Sequence, residues 1–81
     1  MKTRYKYIHF EEVPNIGKKT KKWNILNNSS EDILAEVSWY GFWRQYCIET
    51  FSYMMFNSGC LKDIAEFLDN ANTEHKEGMK K

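Results

Sequence analysis

The chain holds one proline, four glycines, two cysteines and two histidines among its 81 residues, and each scarcity removes a class of protein. Two cysteines, Cys47 and Cys60, are too few for the disulfide framework of a small secreted scaffold. The expectation is two reduced thiols in a cytoplasmic protein, with a single disulfide left open. Both stand alone, without C-x-x-C or H-x-x-x-H spacing, so no metal site is expected. The histidines, His9 and His75, give little material for proton transfer. Cys47 could pair with His9 as thiol and imidazole only if the first strand crossed the right face. Long apolar runs are also missing. The longest, Tyr53–Phe56, falls far short of the roughly 18–20 residues of a membrane-spanning helix. No apolar stretch follows the basic start Met1–Lys6, so no signal peptide is expected either.

Acidic pairs are present but badly placed for chemistry. Glu11 and Glu12 are neighbours on a strand and point to opposite faces, while Glu31 and Asp32 fall in a turn. Ile16-Gly17-Lys18-Lys19-Thr20 echoes the end of a phosphate-binding loop but lacks its upstream glycine and its helix. No catalytic constellation emerges, so the chain is not expected to be an enzyme or to carry a cofactor.

Aromatic residues are abundant, at 16% of the chain. A chain this short buries only about 60–65% of the surface its unfolded form exposes, and large rings bury much area for few residues. The net charge of +1 hides an asymmetry. Residues 1–22 hold seven Lys or Arg against Glu11 and Glu12, an excess of five. Such a segment is either an edge strand guarded by lysine or a basic arm that meets an anion.

Residues 4–13 form a first expected strand, with Tyr5, Tyr7, Ile8, Phe10 and Val13 as strand-favouring types. Pro14, Asn15 and Gly17 end it in a turn. Residues 20–27 form a second, with Trp23 and Ile25 on one face. Asn27–Asp32 is a polar turn cluster. Residues 33–40 could start a helix, but Ile33, Ala35, Val37 and Trp39 alternate with polar neighbours, which is strand periodicity; Leu34 breaks the alternation.

The next residues favour the strand. Tyr40-Gly41-Phe42-Trp43 suggests a hairpin with a two-residue type II′ loop and Gly41 at positive φ. That turn sets Tyr40 opposite Trp43, Ser38 opposite Gln45 and Val37 opposite Tyr46. Ile33, Ala35, Val37, Trp39, Tyr46 and Ile48 then share a core face. Tyr40, Trp43, Gln45 and Cys47 share the other with Glu36, Ser38 and Glu49. Residues 51–57 are either a fifth strand or an extended connection. Asn57 or Ser58 can cap a helix whose apolar stripe is Leu61, Ile64, Ala65, Phe67, Leu68 and Ala71. The helix is expected to fade near Asn70–Asn72, leaving residues 73–81 as a charged, disordered tail outside a single domain of residues 1–72. The expected fold is α+β: an antiparallel meander of four or five strands followed by one C-terminal helix packed on one face.

The segment Trp39-Tyr40-Gly41-Phe42-Trp43-Arg44-Gln45-Tyr46, followed by Phe56-Asn57-Ser58-Gly59-Cys60-Leu61-Lys62-Asp63-Ile64-Ala65-Glu66-Phe67, resembles a family of small phage, prophage and mobile-element proteins. These carry W-Y-x-x-W-R-Q-Y and F-x-x-x-C-L-x-D-I-x-x-F segments. The resemblance covers about residues 20–70. The chain departs from it after Cys47, where many members have an aromatic residue and a proline and this chain has Ile48-Glu49-Thr50. It implies the hairpin and a mobile-element origin, and no mechanism.

The candidate binding residues are Tyr40, Trp43, Arg44 and Gln45. Tyr and Trp are stiff and amphipathic and suit interfaces, and Arg44 could stack on Trp39. The competing reading has the rings covered by the N-terminal strand or by a second copy of the chain. The first functional expectation is a protein-interaction module of phage or mobile-element type, with an unidentified protein partner or a homodimer. The second is a binder of single-stranded nucleic acid or of a DNA groove, using the aromatic face and Lys18, Lys19, Lys21 and Lys22. The near-neutral charge weighs against the second.

Overall fold

The computed structural model describes residues 1–51 and 53–79. Strands β1 (Ile8–Val13), β2 (Lys22–Asn27), β3 (Ile33–Tyr40) and β4 (Gln45–Thr50) precede helix α1 (Ser58–Met79). The strands pair in sequence order as one antiparallel sheet, which is the expected α+β meander with its helix. No fifth strand follows Thr50 among the described residues of the 51–57 segment; Ser52 lies outside them.

The first strand is shorter than residues 4–13, because the chain doubles back. Tyr5 N–H donates to the Ile8 carbonyl at 2.9 Å and Phe10 N–H to that of Thr3 at 2.8 Å. Asn28 holds this reversal. Its Nδ2 donates to the carbonyls of Tyr5 and Lys6, and its Oδ1 lies 2.6 Å from His9 Nδ1. The backbone of residues 3–5 thus covers the outer edge of β1, where an unpaired edge would template other chains. The second strand begins two residues late, because Lys21 N–H donates to the Tyr46 hydroxyl.

One sheet face carries Ile8, Phe10, Trp23, Ile25, Ala35, Val37 and Tyr46, all buried. Alternation of side chains across strands places them together, and the helix covers them. Phe67 is fully buried, stacked on Phe10 at 3.8 Å between ring centroids and edge-on to Trp23 at 5.1 Å. Trp23 in turn meets Tyr46, and Tyr46 meets Trp39. Ile33 does not join this face. The register shifts at Leu26, which pairs with Ile33 after Ile25 pairs with Ala35. Leu34 is therefore the extra residue of a β-bulge, and it is the residue that breaks the alternation in sequence.

Asn57 caps the helix, its Oδ1 accepting the Cys60 N–H at 2.8 Å, in the manner that favours asparagine at this position. The buried stripe is Cys60, Ile64, Phe67 and Ala71, a spacing of four, three and four residues. Leu61 lies one residue off it and is 55% exposed, which corrects its expected place in the core. The helix does not fade near Asn70–Asn72 but continues to Met79; Lys80 and Lys81 lie outside the described residues. The extension has a tertiary cause. His75 packs against Trp39 with ring centroids 4.3 Å apart.

Phe67→Ala is expected to cost about 3–5 kcal/mol in urea unfolding. Leu61→Ala should stay within about 0.5 kcal/mol; equal losses would show that the helix is rotated about its axis. A second expectation concerns alkali. Burial pushes the Tyr5 hydroxyl from its ordinary value of 10.0 up to about 12, helped by its hydrogen bond to Glu66. The folded state favours the neutral phenol, so this contribution is whole below pH 10 and is lost as pH rises towards 12. Tyr5→Phe should flatten the fall in stability over that interval.

Candidate functional site

The β3–β4 turn is longer than its glycine suggests. Tyr40 pairs with Gln45, Ser38 with Cys47 and Val37 with Ile48. The loop is therefore the four residues Gly41–Arg44, and Tyr40 does not face Trp43 across a ladder. Trp43 N–H donates to the Tyr40 carbonyl at 3.2 Å, closing a turn, and the chain returns to the strand through Arg44 at φ 53°. Four-residue hairpin loops are often built around a type I turn. Gly41 has no positive φ; Arg44 takes the left-handed conformation instead. The slip relative to the expected pairing is two residues, an even number, so the side chains paired between β3 and β4 keep their expected faces.

The longer loop still brings the rings together. Trp43 meets Tyr40 edge-on at 5.1 Å, and Phe42 lies 5.6 Å from Tyr40. All three are open to solvent, Tyr40 by 42%, Trp43 by 67% and Phe42 by 87%. Phe42 was missed as a site residue because it reads as turn filling. Its signal is a large apolar side chain inside a loop. The expected stack of Arg44 on Trp39 is not formed; Trp39 meets Tyr46 and His75.

Trp43 forms a wall of two grooves. One, of about 450 Å³, runs between the hairpin and the helix, bounded by Trp39, Arg44 and Gln45 on the sheet and by Asp69, Asn72, Thr73, His75 and Lys76 on α1. Asn72 fixes the spacing there, because its Oδ1 accepts the Tyr46 N–H at 2.7 Å on the outer edge of β4. The other groove, of about 290 Å³, is lined by Ser38, Trp39, Tyr40 and Cys47 with Ile48 and Glu49. Burial pushes the Cys47 thiol up from its ordinary pKa, which disfavours the reactive thiolate. His9 stands on β1 and Cys47 on β4, the two outer strands of the sheet, so they form no pair.

In a meander the β1–β2 and β3–β4 loops share one end of the sheet. Lys18, Lys19 and Lys21 therefore stand at the same end as the aromatic hairpin. Gly17 at φ 79° turns that loop, and Asn15 Nδ2 closes it on the Thr20 carbonyl at 3.0 Å. Lys22 is already engaged, with its Nζ 3.4 Å from Glu36. Lys18, Lys22, Glu36, Ser38 and Trp39 line one shallow depression between the basic loop and β3. Among the described residues no group of three or more His, Cys, Asp or Glu could hold a metal ion, and no helix is long and apolar enough to cross a membrane.

The chain is 30% identical over 71 residues to an uncharacterised 9.3 kDa protein of Acholeplasma phage L2, covering 88% of this chain and 91% of the phage protein. It belongs to that phage protein's family. No family model and no solved structure matches it.

The loop geometry can be checked by stability. Arg44→Gly should stabilise the protein by about 0.5–1 kcal/mol, by removing a left-handed non-glycine residue. Gly41→Ala should be neutral or mildly stabilising, since its added Cβ meets nothing within 4 Å. The opposite ranking in thermal unfolding would restore the shorter turn.

Proposed function

We propose that the protein is a small, non-enzymatic interaction module, an accessory protein of phage or mobile-element origin that binds a protein partner through its β3–β4 hairpin. The observation that carries this reading is the solvent-open cluster of Tyr40, Phe42 and Trp43 in a chain that packs its other tryptophans, Trp23 and Trp39, into or against the core. Exposed aromatic patches mark interaction surfaces, and Trp and Tyr dominate binding energy where they occur. Arg44 and Gln45 supply polar contacts beside the rings. The two free cysteines, Cys47 and Cys60, suit a reducing compartment, which supports a cytoplasmic setting.

A second reading, single-stranded nucleic acid stacking on the same rings, is favoured by the placement of Lys18, Lys19 and Lys21 at that end. The sheet weighs against it. Glu11, Asn24, Glu36 and Glu49 stand directly opposite one another across the four strands. The three glutamates make this an acidic row on the face a polynucleotide would have to cross.

Trp43→Ala is expected to weaken the partner complex, or a homodimer, by about 2 kcal/mol or more, with little change in unfolding midpoint. Capture from nuclease-treated host lysate, together with sedimentation of the protein alone, reads this out. Capture that vanishes with nuclease favours the second reading. Outright unfolding of Tyr40→Ala/Trp43→Ala would make the rings structural.

A further inference from the structure

Resting on that reading, we propose that the partner presents an acidic peptide segment with one bulky apolar residue, which enters the groove between the hairpin and α1. The charge distribution carries the inference. The ion pair among the described residues is Lys22 with Glu36, so the lysine at the loop end of β2 is already neutralised and is not counted here. Lys18, Lys19, Lys21, Arg44 and Lys76 are exposed and stand around one end of the molecule, where the two loops of the meander and the C-terminal part of α1 converge. Asp69 lines the same groove, and Glu74 lies nearby beside Lys21 and His75; neither cancels the cationic rim.

The groove is mostly polar, bounded by Arg44, Gln45, Asp69, Asn72, Thr73 and Lys76, with room for one apolar anchor against its rings. The rings of Trp39, Trp43 and His75 supply its aromatic surface, and its volume of about 450 Å³ falls within the usual range for a ligand-sized cleft. The flanks of the bound segment would pass over Arg44 and Lys76 on one side and the β1–β2 loop on the other. Charges arranged in this way raise association rate and select partners more than they add affinity. A peptide is favoured over a polynucleotide by the mid-sheet row of Glu11, Glu36 and Glu49, which confines an anionic ligand to the end of the sheet. A short segment fits that footprint, whereas a long phosphate backbone would run on into the carboxylates.

The test is selection of peptides from a random surface-displayed library by the intact chain, with oligothymidylate as a parallel probe. The selected peptides should be rich in Asp and Glu around an aromatic or leucine residue. Their affinity should fall on the order of tenfold in Lys18→Glu/Lys19→Glu/Lys21→Glu and fall further with salt. Trp43→Ala should abolish capture while urea unfolding stays unchanged. Neutral or basic selected peptides, no selected peptides, or affinities indifferent to the charge reversal would overturn the acidic assignment and leave the hairpin reading standing. Acidic peptides that bind Trp43→Ala normally would overturn the hairpin reading itself. Oligothymidylate bound more tightly than every selected peptide would replace the proposal with the nucleic-acid one.

Discussion

The ring of Phe67, stacked flat on Phe10 and edge-on to Trp23, is the contact on which the rest of the molecule depends. It sets the rotation of α1, and hence which residues of the helix meet the sheet. With Phe67 in place, Glu66 reaches the Tyr5 hydroxyl on one side, while Asn72 and His75 reach Tyr46 and Trp39 on the other. Rings from the N-terminal turn, all four strands and the helix thus form one continuous series, Tyr5, Phe10, Phe67, Trp23, Tyr46, Trp39 and His75. A small domain has little surface to bury, and aromatic pairs add geometry-dependent attraction to area.

What sequence alone revealed follows from parity. Strand faces depend on whether a residue is odd or even in its ladder, so the two-residue error in turn length left the core face almost intact. The length itself was hidden because Gly41 suggests a tight turn, while the left-handed residue that closes the loop is Arg44, a type with no preference for that conformation. Leu34, an irregularity in sequence, proved to be a bulge, and it carried Ile33 off the core face. The helix boundary was hidden for a different reason. Thr73–Gly78 is polar and contains no strong apolar stripe, and its helicity is supported by His75 on Trp39, a contact that local propensity does not encode. Leu61 was misplaced because hydrophobicity alone does not fix the phase of a stripe; the cap at Asn57 and the burial of Cys60 do.

The candidate site was legible in part. Tyr40 and Trp43 were identified from residue type and stand where they can be reached by a partner. Their association with the basic loop was not visible, because Lys18 and Trp43 are far apart in sequence and are brought to one end by meander topology. The groove was not visible either, since its second wall comes from helix residues that sequence had assigned to a tail. Both omissions concern how elements are placed relative to one another, which periodicity does not report.

The order in which the core is supplied has a consequence for synthesis. The strands pair with their sequence neighbours, so the meander can begin to form as it emerges. The ring that covers Phe10 and Trp23, however, arrives with α1, after the last strand. Until that helix has left the ribosome, the nascent sheet carries an uncovered apolar face, with Ile8, Val37 and Tyr46 open to whatever lies nearby. Residues 3–5 cover its outer edge early, because their partners on β1 follow immediately and Asn28, which holds the reversal, comes directly after β2. The chain thus shields its hydrogen-bonding edge early and its hydrophobic face late, which makes the interval before helix docking the period of greatest exposure to aggregation and to chaperones.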